Sequence, residues 1–220
     1  MATQYCLGPN ANPTHLLLFG AGAQVHAHAC VLIATYPQIR HCTVVNRSYN
    51  DRLVALLDKF RIQFPKVDVV GLGSDDVPHG EVGIEHVVKS ASIICTATSS
   101  TTPLFPADWV TPGTHINLIG SFTPLMHEVS STLIERAKLV LVDAREACAK
   151  EAGELIAAGY PIENTIELGE LGNGSKLIGE ARSEITVFKS VGVSIMDTAI
   201  ADLVVRKARE VGSGTSVPFD

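Results

Sequence analysis

Apolar residues in this chain gather into short runs separated by stretches of helical spacing. Residues 15–19 (HLLLF), 43–46, 67–72, 92–96, 115–119 and 139–142 are β-rich runs with almost no polar alternation. Such continuity is expected of parallel strands covered on both faces. Between them, residues 24–36, a stretch through Leu53, Leu56, Leu57 and Phe60, and residues 82–89 and 146–158 read as helices. Pro37 and Pro65 end the first two, and Ser48 or Asn50 is placed to cap the second. The alternation predicts an α/β fold, a doubly wound, mostly parallel Rossmann-type sheet. Right-handed crossovers then bring the C-terminal ends of the strands to one rim, where ligands bind at the topological switch point. Past Ala158 the pattern changes. Residues 161–176 are irregular and Gly-rich, 184–191 (EITVFKSV) form a strand, and 196–209 a helix, together a C-terminal strand–helix extension.

The chemistry-bearing residues sit on that rim. Gly20-Ala21-Gly22-Ala23-Gln24-Val25 follows a strand and opens a helix, the setting in which a GxGxx(G/A) run signals dinucleotide binding. Gly20 permits the tight turn and Gly22 lets backbone approach a pyrophosphate, which the helix N-terminus attracts. Val25 departs from the motif's third small residue and keeps helix and strand further apart. The second strand ends Asn46-Arg47-Ser48, with no carboxylate before Asp51. An NAD site places an acid there for the ribose 2′-hydroxyl, whereas an arginine pairs with a 2′-phosphate. A hydrogen bond to a charged group is worth about 1.5–3 kcal/mol, so Arg47 predicts NADP(H) rather than NAD. Thr96-Ala97-Thr98-Ser99-Ser100-Thr101 is a hydroxyl cluster that holds ribose and nicotinamide or satisfies a turn. Taken by itself, it reads as a turn. His115 and Asn117 share one face of the fifth strand and read as a buried, hydrogen-bonded pair rather than catalytic groups.

Composition narrows the picture. Hydrophobic residues make up 46 % and charged residues 18 % of the 220, which excludes disorder and predicts a sizeable core. Seventeen basic against 23 acidic residues, net −6 and without basic runs, argue against a nucleic-acid groove or an anionic membrane surface. No apolar stretch approaches the roughly 20 residues of a membrane span. The N-terminus does not resemble a signal peptide. Cys6, Cys30, Cys42, Cys95 and Cys148 are odd in number, far apart and never in a CxxC pair. They read as reduced, mostly buried thiols of a cytoplasmic protein. His26 and His28 point to different faces of a helix, and no metal site is expected.

Several segments together resemble the ornithine cyclodeaminase/mu-crystallin family. They are GAGAQVHAH (20–28), NRS (46–48), TATSSTTPLF (96–105), WVTPGTHINLIGSFTPLMHEV (109–129), VDAREACAKEAGEL (142–155), ELGEL (167–171) and ITVFKSVGVSIMDTAIADLV (185–204). The resemblance implies a dimer with a Rossmann domain and a separate N-terminal domain for dimerisation and substrate. On that reading residues 1–14 are the remnant of a linker from an absent N-terminal domain. Residues 15–183 form the nucleotide-binding domain, and 184–220 return toward the missing part. The family's substrate-binding arginines and lysine belong to that part, so no residue here inherits their roles. The expected cofactor contacts are Gly20, Ala21, Gly22, Ala23, Gln24, Asn46, Arg47, Ser48, Thr96, Ala97, Thr98, Ile119, Gly120, Ser121 and Ser190.

One position bears on the reaction. Cyclodeaminases of the family use an aspartate two residues after the glycine matching Gly120, and Phe122 stands there. Phenylalanine neither accepts a proton nor pairs with an ammonium. Glu128 matches a position read as structural. The mu-crystallin branch also lacks the acid, uses NADPH and reduces cyclic ketimines. The resemblance therefore implies an NADP(H)-dependent imine or ketimine reductase acting on a small cyclic imine or amino-acid-derived substrate. The catalytic residues stay unassigned. An ornithine cyclodeaminase and a non-catalytic carrier of NADPH or a small ligand are the alternatives.

Overall fold

The computed structural model describes residues 1–75, 83–173, 179, 181–215 and 217. Eight strands form one all-parallel sheet: β1 (His15–Phe19), β2 (His41–Asn46), β3 (Asp68–Gly73), β4 (Ile93–Thr96), β5 (His115–Leu118), β6 (Leu139–Val142), β7 (Ile166–Glu167) and β8 (Thr186–Lys189). Their order is β3-β2-β1-β4-β5-β8-β6-β7. The chain moves outward from β1 to β3, then returns to place β4 on the other side of β1. The crevice between the C-terminal ends of β1 and β4 is therefore the switch point.

Alternation along each strand sorts side chains into two cores. Leu16 and Leu18 of β1 pack with Val25, Ala29, Leu53 and Phe60, from helices α2 (Ala23–Thr35) and α3 (Asp51–Gln63). Leu17 and Phe19 point the other way, with Val88 of α4 (Ile84–Ser90), Leu133 of α5 (Ser131–Arg136) and Leu155 of α7 (Gly153–Ala157). Two covered faces explain why the strands read as unbroken apolar runs. Asn50 caps α3, its Oδ1 accepting from Leu53 N at 3.1 Å.

The remaining elements refine the expected organisation. The strand of the C-terminal extension is β8, built into the sheet between β5 and β6. The helix expected over 146–158 is broken at Ala152 into α6 (Arg145–Glu151) and α7. Gly153 begins α7 because a Cβ there would lie 2.0 Å from Met126 O. The irregular stretch holds the short edge strand β7, while residues 174–176 of it, like Val82 of the helix expected over 82–89, lie outside the described residues. Helix α1 (Ala2–Leu7) sends Ala2 and Cys6 into a third cluster with Leu139 and Leu141 of β6. The C-terminal helix (Ser194–Glu210) buries no residue, leaving Ile195, Ile200, Leu203 and Val204 exposed. No helix among the described residues is long and apolar enough to cross a membrane.

His115 and Asn117 are both buried, as expected, and each also bonds to a neighbouring element. His115 Nδ1 pairs with Thr186 Oγ1 at 2.8 Å, and Asn117 Oδ1 accepts from Thr3 Oγ1 at 3.2 Å. Burial pushes His115 from 6.5 down to about 4. The folded ring stays neutral in a range where the unfolded chain takes up a proton. Its contribution is therefore complete above about pH 6.5 and is lost as pH falls toward the folded value, by about 1.4 kcal/mol per pH unit. His115→Gln is expected to make the slope of unfolding free energy against pH shallower by about one proton. Urea titrations at several pH values check this, and an unchanged slope contradicts it.

Candidate cofactor cleft

The end of β1 shapes the first half of the site. Gly20 takes φ +106°, a conformation L side chains rarely adopt, and a Cβ there would lie 2.8 Å from Ala97 O. Gly22 caps α2 without a side-chain bond, so free N–H groups of that helix face outward. Around this turn lies a cleft of about 660 Å³ lined by residues 19–22, Asn46, Arg47, Ser48, Arg52, Asp75 and residues 97–100. Backbone bonds from Ser74 N to Asn46 O (2.8 Å) and Asp75 N to Arg47 O (2.9 Å) fix the loop after β2. The Arg47 guanidinium is exposed and has no acceptor among the described residues.

Two charged residues of this cleft escaped the sequence reading. Arg52 reaches back from the first turn of α3, its Nε donating to Ala21 O at 2.9 Å, with its guanidinium 3.3 Å from where a Gly22 Cβ would sit. Its place two residues after the capping asparagine is the signal that could have found it. Asp75, just past β3, had no such signal; only strand pairing brings it beside the loop after β2.

A second cleft, about 960 Å³, shares Ala97, Thr98 and Ser99 with the first. Its walls include Gln24, His28, Ile119, Gly120, Phe122, Ser190, Gly192 and Asp197. Asp143 shapes one wall: its Oδ2 accepts from Ser190 Oγ (2.7 Å), Val191 N (3.0 Å) and Gly192 N (2.8 Å). Phe122 is 54 % exposed there, so this wall presents an accessible apolar ring. Among the described residues, His28 and Asp197 are the titratable side chains on its walls.

Not every expected contact lies on the surface of the clefts. Thr96 and Ser121 are fully buried, donating to Glu128 Oε2 and to Met126 O, each at 2.7 Å. They support the site from beneath, with no hydroxyl open to a ligand. Thr98 and Ser100 make the bonds of a turn, Ser100 N to Thr98 Oγ1 and Ser100 Oγ to Thr102 O. Asn46 likewise bonds locally, Nδ2 to Ser48 O at 3.0 Å. Gly20, Ala21, Gly22, Asn46, Arg47 and Ser48 meet in the first cleft. Gln24, Ile119, Gly120 and Ser190 meet in the second, and Ala97 and Thr98 belong to both.

Below the junction lies a buried ionic group. Glu128, Glu154 and Lys189 are all fully buried. The Lys189 ammonium sits 3.6 Å from Glu154 Oε2 and donates to Ser121 O, while Glu154 Oε1 accepts from Glu128 N at 2.9 Å. Burial raises the Cys95 thiol, with the Glu128 carboxylate adding to the effect, so this cysteine is no nucleophile. The five cysteines are all free thiols and only Cys30 is part-exposed. No group of metal-ligating side chains occurs among the described residues.

The ion pair carries a stability prediction. Lys189→Met leaves Glu154 buried without its cation, and breaking such a pair costs about 3–5 kcal/mol. The double variant Lys189→Met/Glu154→Gln removes both charges and is expected to recover most of that loss. Urea unfolding measures both, and a double variant as unstable as the single one contradicts the assignment.

Comparisons with known proteins agree with this architecture. A profile of the ornithine cyclodeaminase/mu-crystallin family matches residues 1–212. The Delta(1)-pyrroline-2-carboxylate reductase of Bacillus cereus is 32 % identical over 224 residues, covering all of this chain and 64 % of the relative. The ketimine reductase mu-crystallin of Macropus fuliginosus is 31 % identical over 204 residues, covering 93 % of this chain and 58 % of the relative. The structure of Thermococcus litoralis Delta(1)-pyrroline-2-carboxylate reductase in complex with NADH and L-proline superposes with a TM-score of 0.80 at 23 % identity. That match covers 97 % of this chain and 64 % of the other. A probable ornithine cyclodeaminase from Bordetella pertussis Tohama I gives a TM-score of 0.79 at 25 % identity, covering 97 % and 65 %. The chain thus spans somewhat under two thirds of the length of these relatives. It belongs to the ornithine cyclodeaminase/mu-crystallin family.

Proposed function

We propose that this chain is the nucleotide-binding part of an NADP(H)-dependent imine or ketimine reductase. The observation that carries the reading is the pair of joined clefts at the switch point, with an exposed Arg47 at one end and Phe122 at the other. The uncapped N-terminus of α2 over Gly20–Gly22 suits a pyrophosphate. Arg47, Ser48 and Arg52 suit the adenosine ribose and its 2′-phosphate, and Asp75 opposes them with one negative charge. Thr98, Ser99, Gly120 and the segment held by Asp143 suit the nicotinamide half. When bound, the cofactor supplies a hydride to the imine carbon. The chain's own residues place and orient it. The names of the relatives, a pyrroline-carboxylate reductase and a ketimine reductase, support a small cyclic imine as substrate. A cytoplasmic location and a dimer belong to the same reading, as does a further domain that completes the substrate side. The bare apolar face of the C-terminal helix is the surface suited to such a partner.

Arg47 gives the first test. The chain is expected to bind NADPH at least about tenfold more tightly than NADH, with Arg47→Ala removing most of the difference. Fluorescence titration measures both, and equal affinities in the unaltered chain contradict the preference. Phe122 gives the second. Joined to an N-terminal domain of the family, the protein is expected to turn over cyclic imines with NADPH and to release no ammonia from ornithine with NAD. Proline and ammonia in equal amounts would establish a lyase, and NADPH binding without turnover a carrier.

A further inference from the structure

Beyond their last paired residues, β4 and β5 part. The ladder ends at Thr96↔Leu118, and Ile119 N adds one more bond to Thr96 O at 2.9 Å. Ala97 N turns to Phe19 O of β1, and Thr98 and Gly120, the residues that follow Ala97 and Ile119, bond to the side chain of Glu128. Its Oε1 accepts from Thr98 N at 2.6 Å and Thr98 Oγ1 at 2.8 Å. Its Oε2 accepts from Thr96 Oγ1 and Gly120 N, both at 2.7 Å. An ionised carboxylate offers about four acceptor sites, and all four are filled. A Cβ on Gly120 would lie 2.1 Å from Thr98 O and 2.4 Å from Glu128 Oε1, so the packing leaves the strand ends no slack.

We propose that Glu128 is a positioning residue for the nicotinamide half of the cofactor, acting through Thr98 and Gly120. This rests on the reading of the clefts as a dinucleotide site. Thr98 lies in the segment common to both clefts and Gly120 in the second alone. A dinucleotide spanning the two must cross the junction that the carboxylate holds. Glu128 touches neither cleft itself, being buried beneath them. It is fixed in turn by its own backbone, N–H to Glu154 and carbonyl to Leu104 N at 2.9 Å. The residues assigned to the adenosine half, Arg47, Ser48 and Arg52, make no bond to Glu128. That end of the first cleft therefore keeps its form when the carboxylate is altered, whereas the junction at Thr98 and the second cleft do not.

Glu128→Gln is a sharp probe, because an amide cannot replace this carboxylate in either orientation. Its NH₂ would face the N–H of Thr98 or the N–H of Gly120, and neither group can accept. The experiment uses the full chain and two ligands, adenosine 2′,5′-bisphosphate for the adenosine half and NADPH for the whole. The ratio of their dissociation constants reports what the nicotinamide half adds. In Glu128→Gln this ratio is expected to fall at least about tenfold, while bisphosphate affinity changes by no more than about twofold. Thr96→Val removes one of the four donors from a fully buried position, and a smaller fall of about threefold is expected. This milder variant decides the matter if Glu128→Gln fails to fold. Equal losses for both ligands, or an unchanged ratio in folded variants, would overturn the proposal alone. An unaltered chain that binds neither ligand would overturn the cofactor reading and this proposal with it.

Discussion

Four hydrogen-bond donors converge on one buried carboxylate where β4 and β5 diverge, and the shape of the cleft depends on that meeting. A parallel ladder ends when its strands part, and the freed, partly buried N–H groups need acceptors. Glu128 supplies them for Thr98 and Gly120. The loop carrying Glu128 is anchored from below by Glu154, which Lys189 holds from the end of β8. Three strand ends are thereby tied into one buried network. Half-satisfied, such a network would be worse than an apolar core; with the carboxylate fully bonded it fixes one geometry.

The glycine turn and the α2 N-terminus are generic to dinucleotide sites. The distinguishing features are local: an exposed Arg47 after β2, Arg52 folded back over the turn, and an exposed Phe122 on the wall of the second cleft. In the proposed function the first two suit a cofactor carrying an extra phosphate, which Asp75 tempers, and the third leaves the mouth of the second cleft apolar.

Much of the sheet was legible in the sequence because burial on both faces leaves a plain signature. The runs at 15–19 and 139–142 match β1 and β6 residue for residue. The glycine turn was legible for the same local reason, since Gly20 answers a positive φ that few other residues tolerate. What stayed hidden was set by distant contacts. Strand β7 has two residues and is defined only by its pairing with β6. The break at Ala152 follows from the close approach of Gly153 to Met126. Thr96 reads as a ligand hydroxyl until the fold buries it against Glu128, thirty-two residues away. The ionic group of Glu128, Glu154 and Lys189 joins residues with no sequence spacing in common.

The most direct test of this account is a crystal structure of the chain with NADPH. The account predicts pyrophosphate over Gly20–Gly22 and the 2′-phosphate against Arg47. It also predicts the nicotinamide beside Thr98 and Gly120, with the four bonds to Glu128 intact. Cofactor bound away from the β1–β4 crevice, or a nicotinamide outside the second cleft, would contradict it.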